Sequence, residues 1–187
     1  MKINANDIRP GTILDWEKNL WRVLKVMHTQ PGKGGAYIQT EMKDIINGTK
    51  TNVRFRSSES VERAQLEQRP MQFLYADENA LHFMDMTTYE QTMITEDTAG
   101  EQTVWLQENM EVEVEFFNEK PVAMYLPEKI IMEILEADAV IKGQTATSSY
   151  KPAKLKNGET IMVPQFISAG ERVVLNTSDG SYVERAS

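Results

Sequence analysis

Apolar and polar residues alternate with a period of two in short runs along nearly the whole chain, the pattern of half-buried β-strands. The runs are "TILDW" (12–16), "LWRVLKVM" (20–27), "AYIQTEM" (36–42), "TNVRFRS" (51–57), "QFLYAD" (72–77), "ALHFMD" (80–85), "EVEVEFF" (111–117), "PVAMYLP" (121–127), "IIMEILEA" (130–137), "TIMVPQFI" (160–167), "RVVLNT" (172–177) and "SYVERA" (181–186). Turn dipeptides punctuate them: Pro10-Gly11, Asn47-Gly48, Asn157-Gly158 and Asp179-Gly180. "EVEVEFF" alternates strictly and predicts its three glutamates, Glu111, Glu113 and Glu115, on one exposed face. One stretch departs from the pattern: "TAGEQTVWLQENM" (98–110) predicts a short amphipathic helix around Val104 and Trp105. Short, evenly spaced strands predict an all-β protein of small closed barrels, not a parallel α/β sheet.

The strand pattern is interrupted at "ERAQLEQRP" (62–70) and at "YLPEK" (125–129). These breaks divide the 187 residues into 1–64, 65–127 and 128–187. Pieces of about 60 residues bury little core each and must lean on one another or on a partner. No repeat of 20 to 50 residues is present.

Composition narrows the function by elimination. The absence of cysteine excludes disulfides, thiolate metal sites and cysteine nucleophiles. The two histidines, His28 and His82, lie in strand runs with no third ligand at metal spacing, so neither a metal nor a cofactor is expected. No apolar run is long enough to span a bilayer, and "MKINANDIRPG" lacks the apolar core of a signal peptide. A cytoplasmic protein without a membrane association is expected. Serine-hydrolase, zincin and calcium-loop motifs are all absent. The remaining catalytic alternative is a small carboxylate-dependent enzyme built on acids of the middle third.

The net charge of −8 hides a division. Residues 1–63 hold 11 Lys/Arg against 7 Asp/Glu, residues 64–126 hold 2 against 13, and residues 127–187 hold 7 against 8. A basic first third beside a strongly acidic middle suits contact with a polyanion at one end only. The basic group is Arg22, Lys25, Lys43, Lys50, Arg54 and Arg56.

Within that basic third, "QPGKGGAY" (30–37) joins two strand runs. Pro31, Gly32, Gly34 and Gly35 mark a tight turn, which predicts a β-hairpin with Lys33 at its tip. A phosphate-cradling loop does not fit, since glycine and a strand follow the lysine where Ser/Thr and a helix are needed. Two readings stay open on these residues alone: a solvated turn lysine, or a lysine presented on a protrusion to reach a partner.

Three segments, "PGKGGAY", "QFLYADENALHFMDMTTYEQ" (72–91) and "KPAKLKNGETIMVPQFISAGERVVLNTSDGSYVERA" (151–186), closely resemble the bacterial translation elongation factor P family. The last segment carries Lys151, Pro152, Gly158, Val163, Pro164, Gly170, Glu171, Tyr182 and Arg185 at the family's spacing, and the likeness is collinear over essentially the whole chain. A related paralogue lacks the glycine-flanked lysine, and the two-domain hypusine-bearing initiation factor lacks the third barrel. The resemblance implies an SH3-like (KOW-like) domain followed by two OB-folds in a tRNA-like L shape. It implies a monomer that binds the 70S ribosome between the peptidyl and exit tRNA sites, contacts ribosomal RNA and the peptidyl-site tRNA, and relieves stalling at consecutive prolines. It also implies that Lys33 points at the peptidyl transferase centre and is extended by a lysine-modifying enzyme. Tyr182 and Arg185 match positions implicated in RNA contact. The segment 143–153, with Thr145, Thr147, Ser148, Ser149 and Tyr150, matches a loop placed near the exit-site codon.

Overall fold

The computed structural model describes residues 1–139 and 150–187, and nearly all of its regular structure is β. The first sheet has strand order β1-β6-β2-β3-β4-β5. Its strands are β1 (Lys2–Asn4), β2 (Ile13–Trp16), β3 (Asn19–Thr29), β4 (Tyr37–Asp44), β5 (Lys50–Arg56) and β6 (Ser60–Arg63). The second, of order β11-β10-β7-β8-β9, holds β7 (Glu67–Ala76), β8 (Leu81–Asp85), β9 (Gln91–Ile94), β10 (Glu111–Phe117) and β11 (Lys120–Tyr125). The third, of order β14-β13-β12-β15-β16, holds β12 (Lys129–Ala137), β13 (Tyr150–Leu155), β14 (Thr160–Pro164), β15 (Arg172–Asn176) and β16 (Tyr182–Arg185). Every strand pair is antiparallel. The all-β architecture expected from the alternation is the one observed.

Each sheet curves over its own core, and none closes fully by strand pairing. Ile8, Leu14, Val23, Ile38, Met42 and Phe55 fill the first, and Met71, Phe83, Ile94, Val112 and Val114 the second. Ile134, Leu155, Val163, Ile167 and Leu175 fill the third. A fourth cluster lies in the seam between the first two sheets. Ile13, Leu20, Ala64 and Val122 are buried there, with Ile45, Leu66 and Phe117 packed against them.

Four strands escape the alternation rule, and a fifth, β7, follows it only in part. β1, β6 and β9 are three or four residues long, too short to show a period. β13 carries Pro152 and two lysines, yet Lys151, Ala153 and Leu155 point inward. β7 begins at Glu67, inside the stretch that reads as an interruption, and runs through Pro70. Proline is tolerated there because the Pro70 carbonyl accepts from Met86, beyond the last β7–β8 pair at Met71 and Asp85. The missing N–H therefore faces the side where β8 has already ended.

The predicted helix over 98–110 is shorter and broken. A single turn, α1 (Glu96–Ala99), is capped by the Thr95 hydroxyl, and a 3-10 segment follows over Glu101–Trp105. Gly100, at φ 78° and ψ −165°, separates the two, so no amphipathic face forms. Trp105, in the connection between β9 and β10, instead packs in the third core at 9% exposure.

One turn carries a pH signature. Asp77, between β7 and β8, accepts the backbone N–H groups of Asn79 and Ala80, and meets His82 Nε2 at 2.7 Å. The Asn79 N–H, then His82 and Ala80, hold its carboxyl down at about 2. Because this folded-state value lies below the ordinary 3.8, the turn's carboxylate contribution is complete above that pH and lost as pH falls toward about 2. A carboxyl NMR titration should place the Asp77 midpoint near 2. A midpoint at the ordinary value would contradict the turn geometry.

Candidate functional site

Pairing register decides which charged side chains share a surface, because residues opposite one another in a ladder point to the same face. On β3, β4 and β5, Arg22 pairs with Lys43, which pairs with Lys50, and Lys25 pairs with Glu41. Gln39 pairs with Arg54, and Tyr37 with Arg56. All six basic residues of the expected group therefore lie on one outward face. The opposite face supplies Val23, Ile38, Met42 and Phe55 to the core. A bulge between Val23 and Lys25 keeps the register, since it restores Lys25 to the face of Arg22.

The six are not equivalent. Lys43, Lys50, Arg54 and Arg56 are exposed, with Arg54 stacked over the Tyr37 ring at 4.2 Å. Lys25 is 81% exposed and holds Glu41 loosely at 3.9 Å. Arg22 has a different employment. It turns into the seam and donates to both carboxylate oxygens of Glu115, at 2.8 and 3.1 Å, and to the Tyr125 hydroxyl at 3.0 Å.

The β3 and β4 ladder ends at Thr29 and Tyr37, so residues 30–36 form the tip of this basic ribbon. Lys33 is exposed there, and no described residue hydrogen-bonds or ion-pairs with it. Gly34, at φ 110°, occupies backbone space that an L side chain adopts only with strain. Around Gly32 and Gly35 a Cβ would meet nothing within 4 Å, so the protein's own packing does not require their smallness.

At the far end, Tyr182 packs against the third core, and that burial pushes its phenol above the ordinary tyrosine range. Arg185 is half exposed, held at 3.2 Å from Glu171 and stacked on Phe166 at 5.0 Å. Such a surface pair stabilises by less than about 1 kcal/mol. Arg185→Ala should therefore leave the melting temperature nearly unchanged. Loss of folding instead would reduce Arg185 to a packing residue. Tyr150 is exposed at the start of β13, while Thr145, Thr147, Ser148 and Ser149 lie outside the described residues.

Two features escaped the sequence reading. Glu115 belongs to the strictly alternating run but is 4% exposed, because the first sheet covers it. Trp105 meets Gly180, where φ is 73° and a Cβ would sit 2.6 Å from the indole. The Asp179-Gly180 signal marks the turn but carries no hint of a ring above it.

Three family models match this chain in order. They are the elongation factor P KOW-like domain at residues 4–61, the elongation factor P OB domain at 66–124, and the elongation factor P C-terminal domain at 130–185. Curated proteins named elongation factor P from Zymomonas mobilis and Acidithiobacillus ferrooxidans are each 54% identical over 186 residues, covering 100% of both chains. The chain belongs to the elongation factor P family.

The elongation factor P relative from Brucella suis is 52% identical over the same length. A solved translation initiation factor 5A from Methanococcus jannaschii superposes with a TM-score of 0.57 at 21% identity, covering 65% of this chain and 90% of that one. An initiation factor 5A family protein from Naegleria fowleri gives 0.55 at 16% identity. These two share the fold over 65% and 67% of this chain. As a member of the elongation factor P family, the chain is a translation elongation factor and not an enzyme, which sets aside the carboxylate-enzyme alternative. No helix among the described residues is long and apolar enough to cross a membrane.

Proposed function

We propose that this elongation factor binds the 70S ribosome between the peptidyl and exit tRNA sites, as a cytoplasmic monomer of three domains (1–64, 65–127 and 128–187). There it speeds peptide-bond formation at consecutive prolines. The observation that carries the reading is an exposed lysine, without a hydrogen-bond or ion-pair partner among the described residues, at the tip of a hairpin whose outward face holds five further accessible basic side chains. Lys25, Lys43, Lys50, Arg54 and Arg56 neutralise ribosomal RNA phosphates, and Arg22 is reserved for the seam. The acidic middle domain faces away from phosphate. In the third domain, Tyr182 and Arg185 contact RNA, and the segment 143–153 corresponds to the family's loop near the exit-site codon.

Peptide transfer needs the two reacting ends aligned. Proline is a poor participant because its ring fixes φ and constrains its nitrogen. Holding the peptidyl tRNA in an attack-ready geometry lowers the entropic part of the barrier, in which about 7 to 11 kcal/mol is at stake at most. Lys33 reaches in as a compact charge on a flexible stem with a primary amine open to acylation. The bare side chain is about 6 Å long, from ordinary bond lengths. A group appended by a modifying enzyme lets it follow the tRNA end further. Gly32 and Gly35, unneeded by the free protein, let the tip backbone approach RNA. Intact mass of the native protein reads the modification directly.

Co-sedimentation with ribosomes across a salt series tests the basic face. Reversing Lys43, Lys50, Arg54 and Arg56 to glutamate should weaken binding and flatten its salt dependence by about one logarithmic slope unit per lost phosphate contact. Reversing the same number of exposed acids in 65–127 should change little. Equal weakening from both sets would contradict the one-ended arrangement.

A further inference from the structure

We propose that the Arg22–Glu115 ion pair is a positioning device that fixes the angle at which the Lys33 hairpin projects from the middle domain, a role that rests on the reading of Lys33 above. Residues 64–66 alone link β6 to β7, and the seam around them is an apolar patch. Apolar contact is non-directional and permits rocking. The ion pair is directional and sits beside that patch. One Arg22 nitrogen spans both Glu115 oxygens and the Tyr125 hydroxyl, which ties β3 to β10 and β11. The Glu115 side chain is 6% exposed and Arg22 34%, so water competes little for the carboxylate.

The lever arm makes the angle matter. β3 carries the chain from Arg22 at the seam to Thr29 at the foot of the tip, about 23 Å at 3.3 Å per residue. A rotation of about 10° at the seam therefore moves the tip by about 4 Å, and misplacement of about 1 Å is already costly for an aligned reaction. A buried ion pair adds little stability over apolar residues of the same volume. Direction, not stability, is what this one supplies.

The experiment uses the full chain. It has no cysteine, so spin labels can be placed at His28→Cys and Met93→Cys, both exposed and on opposite sides of the seam. Distance distributions are compared with relief of stalling on a polyproline reporter. In Arg22→Met/Glu115→Leu the melting temperature should hold or rise, while the distance distribution broadens and relief falls about fivefold. Glu115→Gln alone should also broaden the distribution and reduce relief. The charge swap Arg22→Glu/Glu115→Arg should recover part of both. Unchanged distances and activity in the apolar pair and in Glu115→Gln would overturn the inference. So would harm from Arg22 substitutions alone with no rescue by the swap, which would make Arg22 an RNA contact. If the parent protein gives no relief, the functional reading fails and not the hinge, because the distances are measured without ribosomes.

Discussion

Lys33→Ala is expected to abolish relief of polyproline stalling while ribosome affinity and melting temperature stay close to the parent's. The side chain is exposed and makes no hydrogen bond or ion pair with a described residue, so its removal takes little from the fold. One charge among the accessible basic residues of the ribbon is a small share of phosphate binding. What is lost is the group that enters the reaction's surroundings. Lys33→Arg should fail as well, because arginine keeps the charge but lacks the primary amine that a modifying enzyme needs. Full activity of the arginine variant on a polyproline reporter in cells would remove the modification from the account. Full activity of the alanine variant would return Lys33 to an ordinary turn lysine.

The largest stability effect is expected at Trp105. Its ring joins the third core, the cluster that holds Ile130, Ile161 and Tyr182, and lies against Gly180. Around it, Asn157 Nδ2 donates to the Val104 carbonyl at 2.6 Å and Gln107 Nε2 to the Ile131 carbonyl at 3.0 Å. Trp105→Ala should cost about 3–5 kcal/mol, as large-to-small changes at buried aromatics do. The loss should fall on residues 128–187 in hydrogen exchange, with the first domain untouched. Gly180→Ala approaches the same contact from the other side. It adds a Cβ 2.6 Å from a rigid ring at a backbone φ of 73°, and should destabilise by about 1–3 kcal/mol. A urea melt of Trp105→Ala that matched the parent would show that the two domains do not share this core.

These two residues mark how far the sequence could be read. Lys33 was legible because proline and glycine punctuate a chain locally, and a hairpin tip needs only its neighbours in sequence. The long strands were legible for the same reason: alternation in β4 and β10 is a local record of one buried face. Trp105 was not legible, since its burial depends on a glycine 75 residues away that no periodicity connects to it. Glu115 shows the same limit inside a correctly read strand. Alternation placed it on the outward face, and only the packing of the first sheet against the second turned that outward face into a seam. The basic group stands between these cases. The charge excess of the first third is visible by counting, but its gathering on one surface needs the register of β3, β4 and β5. The same register, together with the seam, separates Arg22 from the other five.

On the proposed function, the native protein accelerates proline–proline bond formation on the ribosome through Lys33. Translation with purified 70S ribosomes measures this directly, by timing synthesis from a message with three consecutive prolines and from one with phenylalanines in their place. Native protein, its mass verified, should raise the rate on the proline message and leave the phenylalanine message unchanged, while Lys33→Ala protein adds nothing to either. Equal rates with and without the native protein, or an acceleration that survives Lys33→Ala, would contradict the account.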